Sequence, residues 1–362
     1  MPKVAANANL TDAKNAKNDE FYTQYHDIET EVMAYLDYNP HVFKDKTILL
    51  PCDDPEWSHF TKFFAQNFDR FKLKKLISTS YAHESKKYKG DYEPSLFETQ
   101  APQFDKDKTK IKGKIFTLCR DKSQNKKIDI HDLKWSYLED DGDFKSKEVT
   151  KLRDEADMII TNPPFSLFRE FLAWIVEAEK NFILIGNKNA ITYKEVFPLI
   201  KENKMWVGTT SFNKDMLFTS PEKIDPNSKP STATRIVDGV VYLRSPSIWL
   251  TNLDHGKRHQ PLTLMSMEDN IRFNQNLKGQ EYQKYDNYNA IEVPFTNAIP
   301  NDYDGVMGVP ISFLDKYCPE QFEILGMDDH RIELPKWRGR GPDLNGKPIY
   351  RRIIIKHKNP QK

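Results

Sequence analysis

Short apolar runs alternate with amphipathic stretches between residues 47 and 207. Apolar runs of this length, bounded by turn residues, predict buried strands, and they lie at 47–50, 73–78, 157–161, 182–185 and 205–207. The stretches between them place apolar side chains at helical spacing, as in Phe60, Phe63, Phe64 and Phe68. Strand–helix–strand units repeated in this way predict an α/β fold with a parallel sheet covered by helices on both faces.

The alternation is interrupted in three places, which suggests how the chain is divided. Residues 1–18 are rich in Ala, Asn and Lys and predict a flexible lead-in. The polar stretch at about 83–127 predicts a hairpin-like insertion. Beyond residue 208, prolines, glycines and short hairpin-like runs replace the alternation. We therefore predict a first domain over residues 19–210 and a second region over residues 211–362.

Charge is balanced over the whole chain but not along it. The 362 residues carry 54 Lys and Arg against 53 Asp and Glu, a formal charge of +1, which argues against a generic nucleic-acid binder. Residues 331–362, however, contain ten basic and two acidic residues, a local charge of +8. Such a run is either a solvated face or mobile tail, or a surface that contacts phosphates. Charge alone leaves both interpretations open.

Cysteine content and hydropathy limit the compartment. The three cysteines, Cys52, Cys119 and Cys318, are far apart and odd in number, so we expect neither a disulfide framework nor a cysteine zinc site. No apolar run approaches the roughly 18 residues that a membrane-spanning helix requires. These features predict a cytoplasmic protein in a reducing compartment, without a membrane partner.

The strongest local signal is the sequence Asn162-Pro163-Pro164-Phe165, directly after the predicted strand at 157–161. Ligands of doubly wound sheets bind at the carboxyl ends of the strands. Two prolines fix φ and remove two N–H donors, so a rigid carbonyl oxygen and the Asn162 side-chain oxygen can converge on an exocyclic amine, with Phe165 as a stacking face. Such acceptors would localise the lone pair of an adenine amine for attack on an electrophilic methyl group. A plain strand-ending turn is the alternative interpretation.

The NPPF motif after a strand resembles the catalytic motif of S-adenosylmethionine-dependent amino-methyltransferases, in the form typical of adenine-N6 DNA enzymes. Further blocks, in the same order along the chain, are similar to the EcoRI-type modification methylases. They are DEFYTQY at 19–25, CDDP at 52–55, DGDF at 141–144, TNPPFSLFR at 161–169, ITYKEV at 191–196, WLTNLD at 249–254, KYDNY at 284–288 and GVMGVP at 305–310. The resemblance implies a Rossmann-like methyltransferase sheet with a C-terminal DNA target-recognition region.

The resemblance also assigns roles to residues of this sequence. It implies S-adenosylmethionine as the cofactor and the gamma order of motifs, in which cofactor motifs precede the catalytic motif and the recognition region comes last. The target adenine would meet the catalytic residues Asn162, Pro163, Pro164 and Phe165. The cofactor would be held by Tyr22, Thr23, Cys52, Asp53, Asp54, Asp143 and Phe144.

Within the cofactor set, the resemblance implies different contacts. Tyr22 and Thr23 would close over the methionine end of the cofactor. Asp143 would accept from the amine of its adenine, and Phe144 would pack on the adenine ring. Two features depart from the broad methyltransferase class: the CDDPEWS turn has no glycine, and residues 78–80 lack the acid that normally binds the ribose hydroxyls.

The resemblance places the basic run at 331–362 in the part of the family that reads double-stranded DNA. The candidate DNA contacts are Arg338, Arg340, Arg351, Arg352, His255 and Arg258. For His255 and Arg258, a position in an exposed loop is the alternative. The tyrosines either stack on unpaired DNA or pack within the protein, and they are Tyr282, Tyr285 and Tyr288. The acidic cluster at 139–143 lacks a spacing typical of magnesium sites, so no metal is predicted.

The sequence therefore predicts a site-specific DNA adenine-N6 methyltransferase that acts on an adenine flipped out of the duplex. It would work as a monomer in a bacterial or phage-infected cell, with or without a cognate restriction endonuclease that shares its site. Two other classes stay open. One is a methyltransferase of the same fold that acts on RNA adenine or on a protein glutamine amide, and the other is a non-enzymatic DNA-binding relic.

Overall fold

The structure is a computed structural model that describes residues 22–51, 53, 58–82, 99–120, 132–219, 234–327 and 342–361. The predicted lead-in at 1–18 lies outside the described residues, as does part of the predicted insertion at 83–127. Within these ranges, no helix is long and apolar enough to cross a membrane.

Helices and strands alternate through the first half of the described chain, and short strands dominate the second half. The α-helices are α1 (Tyr25–Tyr38), α2 (His59–Gln66), α3 (Lys106–Ile111), α4 (Lys147–Glu155), α5 (Phe168–Glu177), α6 (Phe197–Lys201) and α7 (Met267–Phe273). The strands are β1 (Tyr22–Thr23), β2 (Thr47–Leu50), β3 (Lys75–Ser80), β4 (Lys114–Cys119), β5 (Lys134–Tyr137), β6 (Met158–Thr161), β7 (Asn181–Asn187), β8 (Trp206–Val207), β9 (Met216–Thr219), β10 (Thr234–Val237), β11 (Val240–Ser245), β12 (Ser247–Thr251), β13 (Ile291–Glu292), β14 (Met307–Pro310), β15 (Phe322–Met327), β16 (Asp343–Leu344), β17 (Lys347–Pro348) and β18 (Arg352–His357).

The chain divides into two compact units, and neither is continuous in sequence. The first comprises Met1–Ala190 and Asn213–Leu253, and the second comprises Ile191–Phe212 and Asp254–Lys362. This division differs from the single boundary predicted near residue 210. The physical reason is strand pairing, because β9 pairs with β1 and β12 pairs with β7, which returns this segment to the first unit.

The main sheet of the first unit has a parallel centre. Seven of its strands lie in the order β5-β4-β3-β2-β6-β7-β12. The four central strands, β3, β2, β6 and β7, are parallel, while β4, β5 and β12 add antiparallel edges. Every residue of β2 and of β6 is buried, as expected for strands covered on both faces. The predicted α/β class with a parallel core is confirmed.

The predicted insertion contributes to this sheet. Strand β4 lies within the stretch predicted as a hairpin, and it pairs along its whole length with β3, from Lys75 opposite Cys119 to Ser80 opposite Lys114. Its partner β5 follows the stretch, so the antiparallel pair extends the sheet instead of projecting from it.

Two helices complete the strand–helix–strand units that the sequence predicts. Helix α2 lies between β2 and β3, and its phenylalanines Phe60, Phe63 and Phe64 are buried. Ser58 caps the helix, since its side-chain oxygen accepts from the Phe60 N–H. Helix α5 lies between β6 and β7 and buries Phe171. Burial of each such side chain stabilises the fold by about 1.5–3 kcal/mol.

A smaller antiparallel sheet in the first unit has the order β1-β9-β11-β10. In its pairing of β1 with β9, Thr23 lies opposite Phe218. Strands β10 and β11 form a hairpin whose turn residues, Asp238 and Gly239, have φ of 49° and 77°. Positive φ at both positions is the geometry of a two-residue hairpin turn.

The second unit is built on a sheet with the order β13-β14-β18-β15. Strand β18 pairs with β14 on one side and with β15 on the other, and its Ile353, Ile354 and Ile355 are fully buried. The described part of the basic run at 331–362 is therefore not a mobile tail, because it supplies an interior strand.

Candidate active site

The Asn-Pro-Pro-Phe turn lies at the topological switch point of the main sheet. From β2 the chain passes to β3 on one side, and later returns through β6 on the other side. Asp53 follows β2 and Asn162 follows β6, so the two residues lie at the carboxyl ends of adjacent parallel strands. Ligands of open α/β sheets bind in the crevice at such a point. The sequence prediction of a site at 162–165 is consistent with this placement.

A hydroxyl group joins the two turns. The Thr161 Oγ1 lies 2.5 Å from the Asp53 Oδ2 and 2.8 Å from the Pro51 carbonyl oxygen. The other carboxylate oxygen of Asp53 accepts from the Ser58 Oγ at 2.7 Å. Asp53 is only 6% exposed, and each of its carboxylate oxygens contacts a protein hydroxyl.

The backbone of the same turn is held from β3 and α2. The Ser78 Oγ donates to the Asp53 carbonyl oxygen, and the Thr61 Oγ1 lies 3.3 Å from that oxygen. The two hydroxyls are 2.9 Å apart and both are buried. Together, these contacts hold Asp53 against β3, α2 and β6.

Sequence reasoning missed this group of hydroxyls. Ser58, Thr61 and Ser78 were not predicted to have a role, and Thr161 entered only as the residue before the motif. A signal was present, since small hydroxyl side chains stand at the ends of two apolar strands and at the start of a helix. That signal is weak, because serine and threonine are common at such positions.

A second group of side chains surrounds Phe165. Its half-buried ring contacts Phe218 edge-on, with ring centroids 6.3 Å apart. Phe218 is opposite Thr23 in the sheet, and the Thr23 carbonyl oxygen is 2.7 Å from the His59 Nδ1. Thr23, next to half-buried Tyr22, is thus linked to the Asn162–Phe165 turn through Phe218. The sequence pattern does not indicate Phe218 or His59, because each lies far from the motif along the chain.

The DGDF turn lies at the carboxyl end of β3. The Ala82 N–H donates to the Asp141 carbonyl oxygen at 2.8 Å, and the half-buried Asp143 follows. Gly142 has φ of +85°, and a Cβ atom there would lie 2.3 Å from the Ser80 carbonyl oxygen. The position therefore requires glycine. This places Asp143 at the same edge of the sheet as Asp53, as a cofactor role requires.

Phe144 occupies a different environment from the one its predicted role requires. It is fully buried, and its ring centroid lies 4.9 Å from that of Phe171 and 5.5 Å from that of Trp174. The ring is thus part of the core beneath the turn. Packing on a cofactor adenine stays a prediction, and it would require Phe144 to leave this cluster.

Cys52, Asp54, Arg338 and Arg340 lie outside the described residues. Among the residues that the structure describes, no group of three or more His, Cys, Asp or Glu side chains could hold a metal ion.

Two predicted DNA contacts of the second unit are buried. His255 is 2% exposed, and its Nε2 lies 3.1 Å from the Val207 carbonyl oxygen. Arg258 is 7% exposed, and its guanidinium lies 3.9 Å from the centre of the Trp206 ring. Its terminal nitrogens also donate to Asp254 and Asn203. DNA binding by these side chains stays a prediction, and their placement speaks against both this role and an exposed loop position.

The C-terminal arginines differ from each other. Arg351 is exposed, whereas Arg352 forms an ion pair with Glu292 at 2.6 Å. Glu292 also accepts from the hydroxyl of the buried Tyr285. Tyr282 donates its hydroxyl to the Ala298 carbonyl oxygen at 2.6 Å. These tyrosine hydroxyls serve contacts within the protein, which favours packing over stacking on DNA.

Two histidines of the second unit are expected to titrate on opposite sides of the ordinary histidine value near 6.5. Burial lowers the pKa of His259, but its bonds to Asp254 and Glu320 outweigh burial and raise that pKa. Burial lowers the pKa of His357, whose Nε2 lies 2.8 Å from the Pro300 carbonyl oxygen. NMR titration of the ring protons, assigned with a His259→Gln variant, should give a higher midpoint for His259 than for His357.

The sign of the linked stability follows from these directions. A raised folded pKa means that the His259 ion pairs stabilise the fold below the unfolded value near 6.5 and lose this contribution as pH rises through the folded value. A reversed order of the two midpoints would contradict the placement of His259 between two carboxylates.

Asp53 and the Asn-Pro-Pro-Phe turn thus follow adjacent parallel strands at the switch point of the sheet. The family described as "Adenine-specific methyltransferase EcoRI" matches residues 9–358, so the chain belongs to this family. It is an enzyme of the adenine-specific methyltransferase class.

Similar proteins cover the chain almost completely. The chain is 40% identical to "Type II methyltransferase M.EcoRI" of Escherichia coli over 100% of both chains. It is 33% identical to "Type II methyltransferase M.MgeORF184P" of Mycoplasma genitalium, over 95% of this chain and 97% of the relative. It is 30% identical to "Type II methyltransferase M.MpnI" of Mycoplasma pneumoniae, over 96% and 97%. No solved structure matches the chain.

Proposed function

We propose that the protein transfers a methyl group from S-adenosylmethionine to the N6 amine of an adenine flipped out of double-stranded DNA, at a specific recognition sequence. The observation that carries the proposal is the position of Asn162 and Phe165 at the switch point, on the strand next to the Asp53 turn. Membership of the adenine-specific methyltransferase family supports adenine as the target base.

Two buried hydroxyl groups of the first unit fit a polar cofactor. The side chains of Thr23 and Ser80 are each 2% exposed, and their hydroxyls have no hydrogen-bond partner within the described part of the chain. Buried hydroxyls are ordinarily paired, so a ligand with its own donors and acceptors would satisfy them. We propose that Tyr22, Thr23, Asp53 and Asp143 line the cofactor site, together with Ser80. When bound, S-adenosylmethionine supplies an electrophilic methyl group on a sulfonium sulfur that leaves as a neutral thioether.

The catalytic turn acts on the target amine. The Asn162 side-chain oxygen and the Pro163 carbonyl oxygen accept the two N6 hydrogens, which draws the nitrogen towards a tetrahedral geometry and localises its lone pair. Phe165 stacks on the flipped base and holds it for in-line attack. The nitrogen gains the methyl group and loses one of its hydrogens as a proton.

Recognition of duplex DNA is assigned to the second region. The local charge of +8 over residues 331–362 and the exposed Arg351 support contacts with phosphates. We propose that the enzyme works as a monomer in the cytoplasm of a bacterial or phage-infected cell. The type II names of its relatives support a role beside a restriction endonuclease with the same recognition sequence.

The proposal is tested by sequencing the product. The full chain is incubated with S-adenosylmethionine and unmethylated plasmid, and single-molecule sequencing then locates modified bases. We expect N6-methyladenine within one recurring sequence and none without the cofactor. Parallel reactions with RNA and with a glutamine-containing protein extract, analysed by mass spectrometry after digestion, address the alternatives. Methylation confined to RNA or protein would overturn the proposal, as would no methylation of any substrate.

A further inference from the structure

We infer that Thr161 is a positioning residue for methyl transfer. It joins the turn that follows β2 to the strand end that presents Asn162, and so fixes the separation between the methyl donor and the adenine nitrogen. This inference rests on the proposed function, because it assigns the cofactor to the first turn and the target base to the second.

The backbone alone does not hold the two strand ends together. The pairing of β2 with β6 runs through Ile48 opposite Met158 and Leu49 opposite Ile159, and no further pair follows towards the carboxyl ends. Proline has no N–H to donate, so Pro51 cannot extend the ladder as a donor. Beyond the last backbone pair, the Thr161 side chain connects the two strand ends. Its hydroxyl lies 2.8 Å from the Pro51 carbonyl oxygen and 2.5 Å from the Asp53 carboxylate.

The Asp53 carboxylate is arranged to receive this hydroxyl. Its second oxygen accepts from Ser58, which caps α2, and its backbone carbonyl oxygen accepts from Ser78 on β3. A bond between a hydroxyl and a carboxylate is short and strong, and the 2.5 Å between the Thr161 Oγ1 and the Asp53 Oδ2 agrees with such a bond. The Asp53 carboxylate therefore serves as the anchor for Thr161.

Thr161 is well placed to affect rate more than binding. It is fully buried and directly precedes Asn162, so a shift of its strand end moves the amide that holds the target amine. A displacement of about 1 Å at a reacting centre can cost roughly 100-fold in rate. Loss of the hydroxyl should leave the binding surfaces in place while relaxing their relative position.

The test compares Thr161→Val with a matched control. Valine keeps the shape of the strand side chain and removes only the hydroxyl. Thr251→Val removes another fully buried hydroxyl of the same sheet, which donates to the Phe182 carbonyl oxygen at 2.7 Å. With saturating cofactor and plasmid, Thr161→Val should lower the single-turnover methylation rate about 10- to 100-fold. Thr251→Val should lower the melting temperature about as much as Thr161→Val does. Its methylation rate should nevertheless stay near that of the wild type.

Two further measurements separate positioning from structural damage. Thr161→Ser keeps the hydroxyl and should restore the rate to within about threefold, and the affinity of each variant for S-adenosylhomocysteine should change much less than the rate. The double variant Thr161→Val with Asp53→Asn should react no more slowly than the slower of the two single variants. The reason is that both substitutions disrupt the same contact, between the Thr161 hydroxyl and the Asp53 carboxylate. The inference would be overturned if the rate reductions of the two single variants multiplied in the double variant. It would also be overturned if Thr161→Val and Thr251→Val reacted at equal rates. Absence of DNA methylation by the wild type would instead overturn the proposed function.

Discussion

Replacing Asn162 with alanine is expected to lower the rate of methyl transfer by about 100- to 1,000-fold, or roughly 3–4 kcal/mol of transition-state stabilisation. The change removes one of the two acceptors proposed to hold the target amine, and a proline-fixed carbonyl oxygen remains as the other. Because Asn162 lies on the β6 side of the switch point and the proposed cofactor residues lie on other elements, cofactor affinity should stay nearly unchanged. Phe165→Ala should also remove most turnover, since the flipped base loses its stacking face.

The measurement is incorporation of tritiated methyl groups into plasmid DNA under single-turnover conditions, with calorimetry for S-adenosylhomocysteine. Asn39→Ala is the matched control, because Asn39 is an exposed asparagine of the first unit whose side chain accepts only a local bond from the His41 N–H at 3.0 Å. Wild-type incorporation by the Asn162 variant would remove the basis for assigning catalysis to this turn.

Arg352→Ala is expected to destabilise the protein by about 3 kcal/mol or more, since it leaves a buried carboxylate without its counter-charge. The Arg352 and Glu292 side chains are 14% and 9% exposed, and two guanidinium nitrogens bind the carboxylate at 2.6–3.0 Å. Tyr285 completes the group by donating to the same carboxylate. The ion pair links the first and third strands of the order β13-β14-β18, so its loss should loosen the sheet of the second unit.

Arg351, the neighbour of Arg352 in sequence, provides the control for Arg352→Ala. Arg351 is exposed, and Arg351→Ala should change the free energy of unfolding by less than about 0.5 kcal/mol. Urea unfolding of the two variants, followed by fluorescence, measures both values. DNA affinity should show the opposite order when the folded variants are compared. Arg351→Ala should lose more affinity for DNA than Arg352→Ala, and this loss should depend on salt concentration. Equal unfolding midpoints for the two variants would contradict a buried pair at Arg352.

The fold was predictable where local pattern and burial agree. Strands β2 and β6 are buried on both faces and form short continuous apolar runs, so both their position and their parallel pairing follow from sequence. Strand β12 is equally buried, yet its pairing with β7 depends on contacts between residues distant in sequence. The sequence pattern therefore places it beyond the predicted boundary near residue 210, whereas its contacts group it with the first unit.

The site was predictable in its motifs but not in its connections. Turns after β2, before α4 and after β6 meet at one edge of the sheet because parallel strands end there together. The bond from Thr161 to Asp53 joins residues 108 positions apart, and no local pattern indicates it. Basic residues gave a similar difficulty. The sequence shows that Arg258 and Arg352 are charged, but it does not show their partners. Arg258 contacts the Trp206 ring, and Arg352 contacts the Glu292 carboxylate.

If the second unit reads the DNA sequence, as proposed, the discontinuous division of the chain limits how such an enzyme can acquire a new recognition sequence. A single genetic crossover near residue 253 would exchange most of the second unit but leave its segment Ile191–Phe212 behind. That segment carries α6, which packs against β15 within the same unit. A functional hybrid must therefore keep the α6–β15 interface compatible or import both segments together. Gradual substitution on a fixed scaffold is then an easier route to new specificity than exchange of a ready-made module.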